Sequence, residues 1–326
     1  MKISVDGGGL GAKKGERFGN YVFSENLIRA LSLYDKKNEY FVYTFTNLKP
    51  RLAWLKGRVS LEELINKKDV FLALNQAIPL LVSEKVISFC HGLSYYFYPE
   101  YYSKKDYSRL MNQLKEMIKR SNYIVVSSEK VKKELEELTI INYSVGKRVV
   151  AIPFGIPFDM LNKRLLRHYV PRNDSKPYFL YVGMDHSIKN IEFIRKTFRK
   201  FRELGEFKSY RLILVTKNCA RKKLCHLYRN ATALLTASYY ESFNLPVLEA
   251  LSQGCPVIGL KSAIIPELAK YVNVASDDKE FVKLMEMIPK KPNIQLIKLP
   301  AGRQDRLDKE FNWRNYVNEL VRLYEL

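Results

Sequence analysis

The chain has 326 residues, 47% of them hydrophobic and 27% charged, which is typical of a folded protein with room for two domains. Its four scattered cysteines argue against a disulfide framework. No apolar run approaches the roughly 20 residues of a membrane span, and the first residues do not resemble a signal peptide. These features predict a cytoplasmic protein.

The basic residues are spread over the whole chain and give a formal net charge of +21. Residues 1–160 hold 25 Lys and Arg against 17 Asp and Glu, and the remainder holds 30 against 17. A field of this sign attracts polyanions such as anionic lipid, phosphorylated substrates or nucleic acid. The alternative is a lysine-rich solvated surface. No nucleic-acid-binding motif accompanies the charge, so nucleic acid is not the favoured partner.

In the first half, short β-branched and aromatic runs alternate with longer amphipathic segments, a pattern that predicts parallel βα units. Predicted strands are Lys2–Val5, Tyr40–Phe45, Asp69–Leu74, Lys85–Phe89, Tyr123–Ser127 and Val149–Ile152. Predicted helices between them include Tyr21–Leu33 and Tyr107–Arg120.

A polar stretch from Met160 to Lys176 predicts a linker, after which the alternation resumes. Predicted strands here are Tyr178–Val182, Arg211–Thr216, Ala231–Thr236 and Pro256–Gly259. A helix is predicted from Asn190 through Phe201, and an amphipathic one at Asn312–Leu326. The prediction is an α/β protein with two Rossmann-like, doubly wound parallel-sheet domains, residues 1–160 and 161–311, facing a cleft. The last helix, 312–326, is expected to cover an apolar surface on either domain.

The most informative segment runs from Glu241 to Ala250 and directly follows a predicted strand. Pro246 suits the first turn of a helix, and Gly254 suits its end. The start of such a helix offers unpaired backbone N–H groups and a partial positive charge to an anion such as a diphosphate. Glu241 lies in the preceding loop, and Glu249 lies about one turn into the helix. The carboxylate of Glu249 suits a ribose diol, because it can accept two hydrogen bonds.

This segment resembles the E-G-F-G-L-P-V-L-E-A and G-x-P-V motifs of glycosyltransferase family 4, a group of retaining enzymes with the GT-B fold. Ser242 and Asn244 stand where that family usually has glycine. The matching residues are Glu241, Phe243, Leu245, Pro246, Val247, Leu248, Glu249, Ala250, Gly254, Pro256 and Val257.

The resemblance implies that the second half of the chain binds the donor, a nucleotide-diphosphate sugar that carries UDP, GDP or ADP. Lys189, in Ile188-Lys189-Asn190, matches a basic residue that holds the diphosphate, although the family's preceding arginine is missing. Glu241 is the predicted catalytic residue beside the sugar, and Glu249 is predicted to bind the ribose. Further donor contacts are expected from Ser242, Phe243, Asn244 and Leu245. Retention of configuration without a cofactor or bound metal is implied, and the sequence contains no D-x-D motif.

In the first half, the segment Phe89–Gly92 resembles the family's H-D segment, which implies that His91 contacts the donor sugar. Gly19 and Asn20 close a glycine-rich loop similar to the one that the family places beside the diphosphate. Aromatic residues followed by a basic helix predict an acceptor or anionic-membrane face. Core aromatics with a solvated helix are the alternative. This face includes Tyr95, Tyr96, Lys104 and Lys105.

One departure from the family is large, because only about ten residues separate Thr216 from Leu227 where the family has a further helix and strand. The missing piece commonly helps to hold the nucleotide base. The favoured function is transfer of a hexose-type sugar to a glycan, lipid or protein-linked acceptor. Alternatives are a nucleotide-sugar epimerase of the same architecture, or a degenerate GT-B scaffold or polyanion-binding protein.

Overall fold

A computed structural model describes residues 1–11, 17–46, 53–82, 85–138, 148–161, 176–217, 219–290 and 303–326. The chain divides into two compact units. The first contains Met1–Gly155 together with Asn312–Leu326, and the second contains Ile156–Phe311. Most of the predicted linker, residues 162–175, lies outside the described residues.

The first unit is built on a six-stranded sheet whose strands are all parallel, in the order β2-β1-β3-β4-β5-β6. The strands are β1 (Lys2–Asp6), β2 (Glu39–Tyr43), β3 (Val70–Ala73), β4 (Lys85–Cys90), β5 (Tyr123–Val126) and β6 (Val149–Ala151). All four residues of β3 are buried, as expected for a parallel strand covered on both faces. Its helices are α1 (Gly19–Tyr34), α2 (Ser60–Ile65), α3 (Ser94–Phe97), α4 (Lys104–Arg120) and α5 (Glu129–Glu136).

The second unit has a five-stranded parallel sheet in the order β11-β10-β9-β7-β8. The strands are β7 (Tyr178–Val182), β8 (Arg211–Val215), β9 (Ala233–Thr236), β10 (Val257–Leu260) and β11 (Asn273–Ala275). The helices are α6 (Ile191–Glu203), α7 (Arg221–Asn230), α8 (Leu245–Ser252), α9 (Pro266–Ala269), α10 (Asp278–Lys290) and α11 (Arg303–Glu310).

The core of the second unit fixes where its loops emerge. Phe198 and Phe201 of α6 pack against Phe179 of β7, and Phe201 stacks on Phe207 with ring centroids 4.3 Å apart. Burying one such ring contributes roughly 1.5–3 kcal/mol. The loop between β7 and α6 is therefore held at both ends by packed elements.

The last helix, α12 (Trp313–Glu325), belongs to the first unit and packs against α1. Its buried face includes Trp313 and Leu320. The backbone carbonyl of Tyr324 accepts a hydrogen bond from Lys85 Nζ at 2.8 Å, and the hydroxyls of Tyr324 and Tyr40 lie 3.4 Å apart. Among the described residues, no helix has both the length and the apolar character needed to cross a membrane.

The predicted fold class, two parallel α/β sheets, is confirmed, with every predicted strand present within a few residues. The strand β11 was not predicted, because three residues beginning with Asn273 carry too short an apolar pattern. At the other edge of this sheet, β8 is followed directly by α7, where the family pattern has a further helix and strand.

Candidate active site

The carboxyl ends of β7 and β9 meet at the point where the strand order of the second sheet reverses. From β7 the chain continues outward to β8, and then returns to β9 on the other side of β7. Open parallel sheets bind ligands at such a reversal point, in the crevice just outside the carboxyl ends of the strands. The loops at this point are 183–190 and 237–244, and Tyr239 N donates to Ile188 O at 2.9 Å between them.

Lys189 and Glu241, one from each loop, form a close ion pair at this point. Lys189 Nζ lies 2.7 Å from Glu241 Oε1, and the side chains are 21% and 11% exposed. Ser238 Oγ donates to the same carboxylate oxygen at 2.7 Å. A partly desolvated pair with a second hydrogen bond to the carboxylate is held in one geometry more firmly than a surface pair. The ammonium group is thereby positioned at the strand edge.

Asn244 makes the turn into α8 and explains one departure from the family motif. Its φ of 66° lies in the left-handed region, where glycine is most favourable and asparagine is the usual replacement. Its Nδ2 donates to Thr236 Oγ1 at 3.0 Å and to Ala263 O at 2.9 Å. The asparagine therefore preserves the backbone turn and adds hydrogen bonds that fix the start of α8.

Glu249 is buried inside an ionic network rather than presented to solvent. Its Oε1 accepts from Arg221 Nη2 at 2.8 Å, and its Oε2 accepts from the hydroxyl of Tyr228 at 3.0 Å. Arg221 also binds both carboxylate oxygens of Asp159, at 2.6 and 3.0 Å. Burial raises the pKa of Glu249, and this effect is opposed by the Arg221 cation and the Tyr228 hydrogen bond. Both carboxylate oxygens are therefore already hydrogen-bonded.

The remaining residues of the motif divide between the core and the surface. Phe243 is buried and meets Phe311 edge to face at 6.0 Å, and Leu245 is also buried. A contact from either residue to a ligand would therefore come from its backbone. Ser242 is half-buried in the loop just before α8.

The first unit has an equivalent reversal point between β1 and β3. Asp6, at the end of β1, is buried and accepts from Gly8 N at 2.9 Å and from Asn75 Nδ2 at 3.1 Å. Burial raises the pKa of Asp6, and these hydrogen bonds oppose the rise. Asn20 Nδ2 donates to Asn75 Oδ1 at 3.1 Å from the exposed first turn of α1, which begins at Gly19. Residues 12–16 of the predicted glycine-rich loop lie outside the described residues.

His91 lies just beyond the end of β4, with its Nε2 2.6 Å from the carbonyl oxygen of Leu74. Burial lowers the pKa of His91 to about 4, so the imidazole is neutral at neutral pH. Because a carbonyl oxygen only accepts, Nε2 carries the hydrogen, and Nδ1 is left with a lone pair. Phe23 packs edge-on against the ring at 5.0 Å. The histidine is therefore suited to accept a hydrogen bond from a hydroxyl.

The predicted acceptor or membrane face is only partly at the surface. Tyr95 is buried in the core beside α4, and Tyr96 is half-buried against the same core. Lys104 and Lys105, in the first turn of α4, are exposed. Tyr95 is buried because α3 presents it to the same apolar cluster that receives Leu114 and Met117 of α4.

Sequence reasoning missed the partners of the two glutamates, namely Arg221, Asp159, Tyr228 and Ser238. One signal pointed to Arg221: α7 begins Arg221-Lys222-Lys223 with no acidic residue in its first turn. Cations there oppose the helix dipole, so such a cluster favours nearby anionic partners. In the described part of the chain, no group of three or more His, Cys, Asp or Glu side chains is arranged to hold a metal ion.

Comparison with known proteins identifies the fold and shows which glycosyltransferases the chain is similar to. Residues 209–293 match the profile of the family described as Glycosyl transferases group 1. O-antigen chain mannosyltransferase RfbU of Salmonella typhimurium is 25% identical over 271 residues, covering 72% of this chain and 69% of that protein. O-antigen chain mannosyltransferase B of Escherichia coli is 21% identical over 282 residues, covering 74% and 71%. Sucrose-phosphate synthase from Thermosynechococcus elongatus superposes with a TM-score of 0.68 over 100% of this chain and 98% of that one, at 15% identity.

The fold of this chain is that of the GT-B glycosyltransferases, with one Rossmann-like parallel sheet in each unit. The profile match spans all the elements from β8 to α10 and includes the Glu241–Ala250 segment. The resemblance drawn from that segment is confirmed: this part of the chain matches the glycosyltransferase group 1 model, and two similar proteins are named as mannosyltransferases.

Proposed function

We propose that the protein is a retaining, metal-independent glycosyltransferase of family 4 that moves a hexose from a nucleotide-diphosphate sugar to an acceptor. The observation that carries this proposal is the Lys189–Glu241 pair at the reversal point of the second sheet, beside the start of α8. A fixed cation and a helix N-terminus at one sheet edge suit a departing diphosphate.

In the proposed reaction, the bond between the anomeric carbon and the diphosphate breaks while the acceptor oxygen attacks the same face of the sugar. The acceptor hydroxyl proton passes to the departing phosphate oxygen, so atoms and charge balance. Lys189 and the N–H groups at the start of α8 stabilise the negative charge that develops on the diphosphate. Glu241 orients the Lys189 ammonium, and we assign its carboxylate to a sugar hydroxyl. A separate proposal concerns His91 of the first unit, whose Nδ1 would accept a hydrogen bond from a substrate hydroxyl.

The nucleoside is proposed to bind on the side of Glu249 and Arg221. Both oxygens of Glu249 are hydrogen-bonded within the protein, but a carboxylate has about four acceptor positions. A ribose hydroxyl can therefore add to the network without displacing Arg221. The short connection between β8 and α7 leaves the base contacts undefined, and UDP, GDP and ADP donors stay candidates.

For the acceptor, we propose a glycan or a lipid- or protein-linked sugar bound at the edge of the first unit near Asn20 and Asn75. Two similar proteins are named O-antigen chain mannosyltransferases, which favours a mannosyl donor and a glycan acceptor as the first pair to test. We further propose a cytoplasmic protein in peripheral contact with an anionic membrane, supported by the excess of basic residues in both halves of the chain.

A thermal-shift panel of UDP-, GDP-, ADP- and TDP-sugars, with and without a divalent metal, tests the donor site. Ligand at about 100 times its Kd raises the stability of the native state by about 2.7 kcal/mol, so one responding nucleotide identifies the donor. The shift should be independent of metal and absent in Lys189→Ala. No shift with any donor would favour a scaffold without transferase activity. In product analysis without acceptor, release of free sugar would favour a hydrolase, and a changed configuration of the donor sugar would favour an epimerase.

A further inference from the structure

The helix α2 in the first unit buries a charged residue and exposes its apolar face, which is the reverse of an ordinary surface helix. Glu63 is buried beneath it, while Leu61, Leu64 and Ile65 are 44%, 63% and 67% exposed. These three apolar residues are spaced three and four apart, so they lie on one face of the helix. That spacing normally marks the face that enters the core, and here it marks the face in solvent.

Hydrogen bonds fix this orientation. The Glu63 carboxylate accepts from the hydroxyl of Ser4 on β1 and from the hydroxyl of Tyr43 on β2, the latter at 2.7 Å. Rotating α2 to bury its leucines would leave Glu63 in water and two buried hydroxyls without their acceptor. An unsatisfied buried polar group costs about 1–3 kcal/mol. The apolar face is therefore held outward by the fold.

The segment before β4 extends this apolar surface. Leu80 N donates to Ser60 Oγ at 2.8 Å, which places the segment beside the first residue of α2. Leu80 and Leu81 are 60% and 50% exposed. We call the combined surface the leucine patch. It consists of Leu61, Leu64, Ile65, Leu80 and Leu81.

The leucine patch borders the basic helix α4. Arg120 Nη2 donates to Leu80 O at 3.0 Å, and Lys56 Nζ, just before α2, pairs with Glu116 Oε1 at 2.9 Å. Lys115 and Lys119, beside these two contact positions on α4, are exposed. Aliphatic side chains next to lysine and arginine are the composition of surfaces that sit at the interface of anionic bilayers.

We infer that the leucine patch is the surface by which the protein binds an anionic membrane, with its aliphatic residues inserted and α4 against the lipid phosphates. This inference rests on the proposed peripheral association and assigns it to particular residues. A second copy of the chain is a poorer occupant, because two such patches would bring basic borders together on a protein of net charge +21. The patch lies where the chain enters β3 and β4, at the amino edge of the sheet, opposite His91 and Asn75 at the carboxyl edge.

Vesicle co-sedimentation tests the inference with the full chain. We expect binding to vesicles of phosphatidylcholine with phosphatidylglycerol, weaker binding at high salt, and little binding to phosphatidylcholine alone. Leu64→Ser with Ile65→Ser should reduce the binding at least about tenfold, because insertion free energy follows buried apolar carbon. The matched control is Leu33→Ser with Leu204→Ser, two leucines that are 47% and 46% exposed elsewhere. This control should bind like the parent chain.

Each other outcome overturns the inference. Equal losses in the two double variants would mean that the leucine patch is not the contact surface. If the Leu64→Ser with Ile65→Ser variant still binds anionic vesicles like the parent chain, the membrane contact lies on another surface. No vesicle binding, together with a dimer that only the patch variant loses in sedimentation velocity, would assign the patch to a second copy. Donor binding by thermal shift is measured separately, so its failure is distinguishable from failure of the membrane contact.

Discussion

Replacing Arg221 by methionine should destabilise the second unit through Glu249. Methionine keeps the apolar part of the side chain but leaves the buried Glu249 carboxylate with only the Tyr228 hydroxyl. Removing one partner of a fully buried ion pair costs about 3–5 kcal/mol. Because the Arg221 side chain is 31% exposed, water screens part of this, and we expect a loss of about 2 kcal/mol. For a unit of this size, that lowers Tm by about 4–8 °C.

The loss should depend on pH with a definite sign. Burial already raises the pKa of Glu249, and removing the Arg221 cation raises it further. The folded state then holds this proton more tightly than the unfolded state does. The Tm deficit is therefore full above the folded pKa of Glu249 in the variant and shrinks as pH falls through that pKa. The part that remains at low pH comes from the lost Arg221–Asp159 pair. Differential scanning fluorimetry from about pH 8 to about pH 5 measures the change.

Two control variants separate this effect from general damage to α7. Arg229→Met lies on the same helix, where Arg229 binds the neutral Gln253 at 2.9 Å, and its smaller deficit should not vary with pH. Adding Glu249→Gln to Arg221→Met removes the stranded charge and should recover about half of the lost stability. A deficit that is constant with pH, or a double variant no more stable than Arg221→Met, would refute the reasoning.

Three further predictions concern single side chains. Lys189→Ala should lower kcat/KM about 100- to 1,000-fold in steady-state transfer assays, whereas Lys196→Ala, which breaks an exposed 3.8 Å pair with Asp278, should leave it unchanged. Asn244→Gly should lower the free energy of unfolding in urea by about 1 kcal/mol and Asn244→Ala by about 2–3, because only alanine adds left-handed strain to the lost hydrogen bonds; equal losses would contradict this account. His91 should titrate by NMR near pH 4, the pKa that burial gives it, and a midpoint near the ordinary value of 6.5 would show that the ring is hydrated.

The strands and the turn into α8 could be predicted because their signals are local. Runs such as Val70–Ala73 are continuously apolar, and a strand buried on both faces requires this. Pro246 and Gly254 mark the two ends of α8 by their backbone preferences. The position of Asn244 within the motif likewise follows from a left-handed φ that few residue types accept.

What could not be predicted depends on contacts between residues far apart in the chain. Arg221 and Glu249 are 28 positions apart, and nothing in either local sequence says that they touch. The leucines of α2 follow the spacing of a buried helix face, so their exposure depends on Ser4 and Tyr43 binding Glu63 from two other strands. The burial of Tyr95 similarly depends on packing against α4.

The return of α12 to the first unit has a consequence for biosynthesis. Residues 312–326 leave the ribosome after the whole second unit, yet they complete the unit that contains residues 1–155. The second unit is therefore fully synthesised before the first unit can be completed. Throughout that interval the face of α1 that packs against α12 is uncovered. A premature stop after Phe311 would spare the second unit and expose the α12-binding face of the first. Chaperones would then bind the truncated chain through the exposed apolar face of its first unit.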